Sequence, residues 1–148
     1  MTRVYLSGGM GGRVTRDVIV ERKKARELCA KSGLHPMDPG LSEAKLWKRR
    51  RISDTMPRGI MRRFIEKDKW LIRRSDFLLV LTGDTPSDGT WREMCYAEKI
   101  EIPVVVVAPD RHAGRLMSWT NIEAATVQPT IERAVRWIVR RAKKARKF

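Results

Sequence analysis

Thiol and imidazole chemistry are nearly absent from this chain, which has two cysteines and two histidines in 148 residues. Cys29 and Cys95 sit inside helical apolar patterns rather than at metal-ligand spacing, and His35 and His112 have no ligand partner at helical spacing. Both cysteines therefore read as reduced core thiols and both histidines as ordinary, with His35 near enough to a loop end to touch a ligand; no metal and no cofactor is expected. No apolar run approaches the roughly 18 residues of a membrane span, and Met1-Thr2-Arg3 runs straight into a short strand, so no membrane partner and a soluble, cytoplasmic protein are expected. Acidic residues are also scarce, 17 against 32 lysines and arginines, for a net charge of +15. That charge predicts attraction to polyanions or phosphorylated small molecules. It collects in Lys48-Arg49-Arg50-Arg51, Arg62-Arg63, Arg73-Arg74 and the last helix, where it reads equally as a solvated basic face. Nucleic acid is a possible partner by charge, but no aromatic interleaving or reader motif supports it.

A chain of this length fits one domain, 1–148, with a basic C-terminal helix over about 130–147. Arg3 to Ser7 is a short apolar run ending in Gly8-Gly9-Met10-Gly11-Gly12, a first strand emptying into a glycine-rich loop. A helix follows from about Val14 to Lys31, with Val14, Val18, Ala25, Leu28 and Cys29 inward, Arg22, Lys23, Arg26 and Glu27 mostly outward, and Gly33 as its stop. Leu34 to Met37 is a second short strand, cut off by Asp38-Pro39-Gly40. The basic segment to about Pro57 is a long excursion in which Trp47 reads as a lid residue or a packing anchor.

Gly59 to Arg74 is the next helix, with an inward stripe of Met61, Phe64, Ile65, Leu71 and Ile72 on which Asp68 also falls. A carboxylate on a core-facing side needs a donor, a cation or a pocket mouth. Phe77 to Thr82 and Pro103 to Ala108 are continuous apolar runs of the sort found in parallel sheets covered on both faces. Ala124 to Val127 reads as an edge strand, and Pro129-Thr130 starts a final helix with Thr130 as N-cap and Ile131, Ala134, Val135, Ile138 and Ala142 inward. Alternating strands and helices predict an α/β fold, a single-domain three-layer sandwich with a mainly parallel five-stranded sheet and helices on both faces. Ligands of such sheets bind beyond the carboxyl ends of the strands.

Ser87-Asp88-Gly89-Thr90-Trp91-Arg92-Glu93 leaves that edge and opens a helix. Thr90 reads as an N-cap, and T-x-x-E is also the pattern of a plain capping box with Glu93 folded back onto the Thr90 amide. Against the capping box, Glu93 is in phase with Ala97 and Ile100, on a core-facing side. A carboxylate in the first helical turn is favoured in its charged form by the helix dipole, as a nucleophile toward a sugar carbon requires. A second carboxyl, Asp68 or Asp88, can then donate or shuttle the proton a leaving base needs. The glycine-rich loop suits an anion or a close-lying ligand. It is neither the dinucleotide fingerprint nor a Walker loop, which would need G-K-[ST].

These segments resemble the nucleoside 2-deoxyribosyltransferase family and its nucleoside monophosphate N-glycosidase relatives. Y-L-S-G-G-M at Tyr5 to Met10 is similar to that family's first strand and loop. Asp68 within E-K-D-K-W-L-I-R-R-S-D, the Phe77 to Leu81 strand, and S-D-G-T-W-R-E-M-C-Y-A before the Pro103 strand follow in matching order over about residues 3 to 108. The resemblance implies a flavodoxin- or Rossmann-like sheet and a homodimer or higher oligomer in which a neighbour completes each site. It also implies retaining cleavage of an N-glycosidic bond, by hydrolysis or transfer to another base, through a glycosyl ester on Glu93. Tyr5 would orient Glu93 and Asp68 would serve the nucleobase side, with Ser87 or Asp88 beside it; Gly8, Gly9, Met10 and Gly89 would complete substrate binding. Ser87 stands where transferases often have Asp and monophosphate hydrolases have a phosphate-contacting Ser, which favours a nucleotide. Gly8 and Met10 replace the Ser and Arg of some of those hydrolases, leaving Ser7, Arg13 or the basic loop to supply the phosphate contact. Two other readings remain: a phosphoribohydrolase of the cytokinin-activating type, whose G-G-x-G-T-x-x-E motif resembles Asp88 to Glu93 without its upstream glycines, and a non-catalytic nucleic-acid-associated basic module.

Overall fold

A computed structural model describes residues 1–8, 16–41, 57–82, 88–108 and 124–145. Along the chain run β1 (Arg3–Gly8), α1 (Arg16–Lys31), β2 (His35–Met37), α2 (Arg58–Ile72), β3 (Phe77–Leu81), α3 (Asp88–Lys99), β4 (Val104–Val107), β5 (Thr126–Gln128) and α4 (Ile131–Ala145). The strands form one sheet in the order β2-β1-β3-β4-β5. Every pair is parallel. The long central strands are the continuous apolar runs, because residues pointing to either face of a sheet covered on both sides must be apolar. All residues of β3 and β4 are buried.

Alternation along the strands divides the core in two. Val4, Leu6, Leu79, Val105 and Val107 pack with Ala25 and Cys29 of α1 and with Ala134, Val135 and Ile138 of α4. Tyr5, Leu78, Val80, Val104 and Val106 face the other way, onto Ile72 of α2 and Met94 and Ala97 of α3. All five inward positions expected in the final helix are buried, and the Arg133 N–H donates to Thr130 Oγ1 at 3.2 Å, making Thr130 the N-cap. Gly33 ends α1 at φ +73°, a conformation that only glycine adopts without strain.

Two expectations about helix faces need correction. Arg22 is buried at 4% exposure rather than outward. Its position is in phase with Ala25 and Cys29, and burial is tolerated because its guanidinium is paired with Asp38 and makes four hydrogen bonds, as described below. In α2, Met61 and Ile65 are exposed and Ile72 is the buried residue. The apolar stripe of that helix lines a cleft instead of filling the core. The basic excursion with Trp47 and the Lys48–Arg51 run lies outside the described residues, as do His112 and Arg13.

Ile138 is fully buried between α4 and the sheet, on the face away from the cleft. Ile138→Ala is expected to cost about 2–5 kcal/mol of unfolding free energy, read as a lower denaturant midpoint with an unchanged m-value.

Candidate active site

A cleft of about 520 Å³ opens at the carboxyl end of β1, between α2 and α3. That volume is ample for a nucleoside-sized ligand. Its walls include Gly8 of β1, Phe64 and Asp68 of α2, and Asp88, Gly89 and Glu93 of α3. Of the expected site residues, Glu93, Tyr5, Asp68, Gly8, Asp88 and Gly89 thus gather at this edge, whereas Gly9, Met10 and Ser87 lie outside the described residues.

The period of two in β1 sends Tyr5 and Ser7 to the same face, toward α3. The Tyr5 hydroxyl donates to Glu93 Oε1 at 2.9 Å, and the Ser7 hydroxyl donates to Glu93 Oε2. Both carboxylate oxygens are therefore held by hydroxyls from one strand. This arrangement removes the capping-box reading, because the carboxylate is committed to β1. Thr90 lies inside α3 and is buried, so it is not the N-cap.

The helix starts at Asp88, which places Glu93 beyond the first turn, where the dipole has faded. Burial dominates instead: it pushes the Glu93 carboxyl up to about 7, the nearby Asp68 adds to the rise, and the Ser7 and Tyr5 hydrogen bonds and the Arg22 charge oppose it. Asp68 is also raised, mainly by burial. Its Oδ1 is buried and has no hydrogen-bond partner among the described residues. The Tyr5 phenol, which interacts with both carboxyls, is held firmly protonated by burial and by the charge of Glu93. Two carboxyls in one poorly solvated site repel each other's charge, which favours one ionised and one neutral group.

At the edge of the cleft, which Arg22 also lines, Asp38 accepts from Arg22 Nε at 3.1 Å, Arg22 Nη2 at 2.6 Å, Arg26 Nη1 at 2.5 Å and Gly40 N at 2.9 Å. Two more Arg22 donors reach Leu6 O at 2.9 Å and Gly8 O at 3.2 Å, so four of its five N–H groups are bonded. Gly8 must be glycine here, since a Cβ would stand 2.9 Å from Leu81 O and 3.2 Å from Arg22 Nη1. Burial alone would raise Asp38, but the Arg22 charge and the bonds from Arg22, Arg26 and Gly40 bring it below the ordinary carboxylate range. Sequence reasoning assigned Asp38 only to a turn and Arg22 to solvent, and offered Ser7 only as a phosphate contact. The phase of Arg22 with Ala25 and Cys29, and of Ser7 with Tyr5, carried the missing signal. Among the described residues no cluster of three or more His, Cys, Asp or Glu is placed to hold a metal ion, and no helix is long and apolar enough to cross a membrane.

A parallel α/β sheet with a paired-carboxyl cleft at its carboxyl edge is the class of structure defined here. The sequence profile described as nucleoside 2-deoxyribosyltransferase matches residues 4–126, and the chain belongs to that family of enzymes acting on N-glycosidic bonds. A search of curated protein sequences returns no match. Among solved structures, the chain resembles a 2-deoxyribosyltransferase of Bacillus psychrosaccharolyticus, with TM-score 0.70, 13% identity, and coverage of 90% of each chain. The 2-deoxyribosyltransferase of Leishmania mexicana gives TM-score 0.63 at 15% identity, covering 95% of this chain and 98% of that one. The CMP N-glycosidase BcmB of Clostridium botulinum gives 0.56 at 10%, covering 93% and 97%. At these identities the likeness establishes the fold.

The raised Glu93 value sets a sign for stability. A carboxyl at about 7 when folded against an ordinary 4.5 supports folding below pH 4.5, and that support is lost as pH rises through 7. Glu93→Gln is therefore expected to raise the thermal midpoint at about pH 8, with the gain vanishing near pH 4. Asp38→Asn leaves the buried Arg22 charge uncompensated and is expected to cost about 3–5 kcal/mol at neutral pH by chemical denaturation. Because the Asp38 value is depressed, its contribution is present at neutral pH and is lost as pH falls below the carboxylate range.

Proposed function

We propose that this enzyme cleaves the N-glycosidic bond of a ribo- or deoxyribonucleotide or of a deoxynucleoside with retention, through a glycosyl ester on Glu93. The observation that carries this reading is the double hydroxyl grip of Tyr5 and Ser7 on a carboxylate that looks into the cleft beside a second, neutral-leaning carboxyl. A carboxylate so held has no rotational freedom to lose when it attacks the anomeric carbon. Asp68 stands as the acid for the departing base: burial raises both carboxyls, but the Ser7 and Tyr5 hydroxyls favour the charged form of Glu93, whereas Asp68 Oδ1 has no donor among the described residues. Gly8, Asp88 and Gly89 line the sugar and base region, and Gly9, Met10 and Ser87 belong to the same substrate-binding set by family position. The ester is then resolved by water or by an incoming base.

The net charge of +15 favours a phosphorylated substrate. So do Lys69 and Arg92 at the cleft wall. The neighbour named for CMP cleavage is consistent with it. The exposed Met61, Ile65 and Trp70 on α2 support a homodimer in which a second subunit completes the cleft.

Chromatography of reactions containing deoxynucleosides, deoxynucleoside 5′-monophosphates or ribonucleoside 5′-monophosphates, with and without an acceptor base, tests the reading. Free base or an exchanged nucleoside is expected from the wild type, none from Glu93→Ala, and kcat/KM should rise as pH passes about 7 and Glu93 ionises. Equal behaviour of wild type and Glu93→Ala on every substrate would refute it.

A further inference from the structure

Each oxygen of Glu93 has one hydroxyl partner, and an attack changes the two oxygens unequally. The oxygen that bonds to the sugar becomes the ether oxygen of an ester and a poor acceptor, while the other becomes a carbonyl and stays a good one. One hydroxyl must therefore lose its partner during the reaction. Ser7 is 1% exposed, and its one described hydrogen bond is the bond to Oε2. The Tyr5 hydroxyl is also buried, but it stands beside Asp68, whose Oδ1 has no partner among the described residues. One of the two hydroxyls has somewhere to go.

We propose that Oε1 is the attacking oxygen, that Ser7 holds Oε2 throughout as a positioning residue, and that the Tyr5 hydroxyl turns from Oε1 to Asp68 Oδ1 as the glycosyl ester forms. The proposal rests on the reading of Glu93 as nucleophile. A lone pair of Oε1 makes the bond to C1′, the C1′–N bond breaks with its electron pair passing to the base nitrogen, and the proton of the neutral Asp68 carboxyl goes to the base. The site holds one negative charge before the step, on Glu93, and one after it, on Asp68. Tyr5 keeps its proton and moves only its hydrogen bond, following the charge from one carboxyl to the other. Ser7 stays behind and keeps the ester carbonyl in the plane from which the second step must start. An unpartnered Asp68 oxygen in the resting site is then the acceptor reserved for the second half of the reaction.

Two measurements test this. In the free protein, ¹³C NMR of the glutamate carboxyls follows Glu93; Ser7→Ala removes a donor to the charged form and is expected to move its titration midpoint upward, whereas an unmoved midpoint overturns the Ser7 assignment. This readout needs no substrate, so it stands even if none of the nucleosides or nucleotides is cleaved and the glycosidic reading fails. With the four common deoxynucleoside 5′-monophosphates and the parent deoxynucleosides as probes, Ser7→Ala is expected to lower kcat about 10- to 100-fold with KM within about threefold. Tyr5→Phe and Asp68→Asn are expected to be non-additive, the double variant falling no more than about threefold below the slower single one. Full multiplicativity of those two losses, or an unchanged kcat in Ser7→Ala, overturns the proposal.

Discussion

The guanidinium of Arg22 lies in the interior at the carboxyl end of the sheet, where its donors are shared between Asp38 after β2 and the carbonyls of Leu6 and Gly8 in β1. A buried charge of this kind is tolerable only when paired and hydrogen-bonded, and this one has its carboxylate and four hydrogen bonds. It ties α1, the end of β1 and the turn after β2 into one unit. The strand segment so fixed carries Tyr5 and Ser7, whose hydroxyls in turn fix Glu93. Placement of the carboxylate thus traces back to an ion pair at the end of β1, whose Arg22 also lines the cleft, and the geometry of the cleft depends on α1 as much as on the helix that bears Glu93.

The carboxyl pair trades stability for chemistry. Burial of Glu93 and Asp68 in one site opposes ionisation of both, and the hydroxyls of Tyr5 and Ser7 return only part of that cost to the charged form of Glu93. A fully solvated pair would be easier to fold around, but nothing would then favour the protonated form of either group at neutral pH. The strain is local. The opposite layer, where α1 and α4 cover the sheet, is built on an apolar cluster, with the Arg22 and Asp38 pair at its carboxyl end.

Much of the fold was legible because β1, β3 and β4 are apolar runs of strand length and α4 keeps five inward positions in phase. Glu93 was legible for the same reason, through its phase with Ala97. Arg22 was misread because residue type outweighed phase: an arginine is usually outside, yet its spacing from Ala25 and Cys29 placed it inside. The stripe on α2 was read as core because amphipathicity marks a face that is not bulk solvent and does not distinguish a packed interior from a cleft wall. Thr90 was misplaced because helix ends are the least certain feature of any pattern, and with the helix starting at Asp88 the expected dipole at Glu93 gave way to burial. Asp38 gave no sign at all, since pairing across sixteen residues to Arg22 leaves no local period.

Side-chain parity in β1 has a further consequence. Tyr5 and Ser7 are paired in register with Leu78 and Val80 of β3, while Leu6 and Gly8 align with Leu79 and Leu81. A slip of a single residue would exchange odd for even and set Val4 and Leu6 against Glu93, with both hydroxyls thrust into the α1 and α4 layer. The sheet would keep its hydrogen bonds, but every donor to the carboxylate would be gone. The double grip on Glu93 therefore acts as a proofreading mark on strand pairing: it reports whether β1 is in the correct half of its two possible phases, and a chain with the wrong phase would lose both hydroxyl partners of that carboxylate at once.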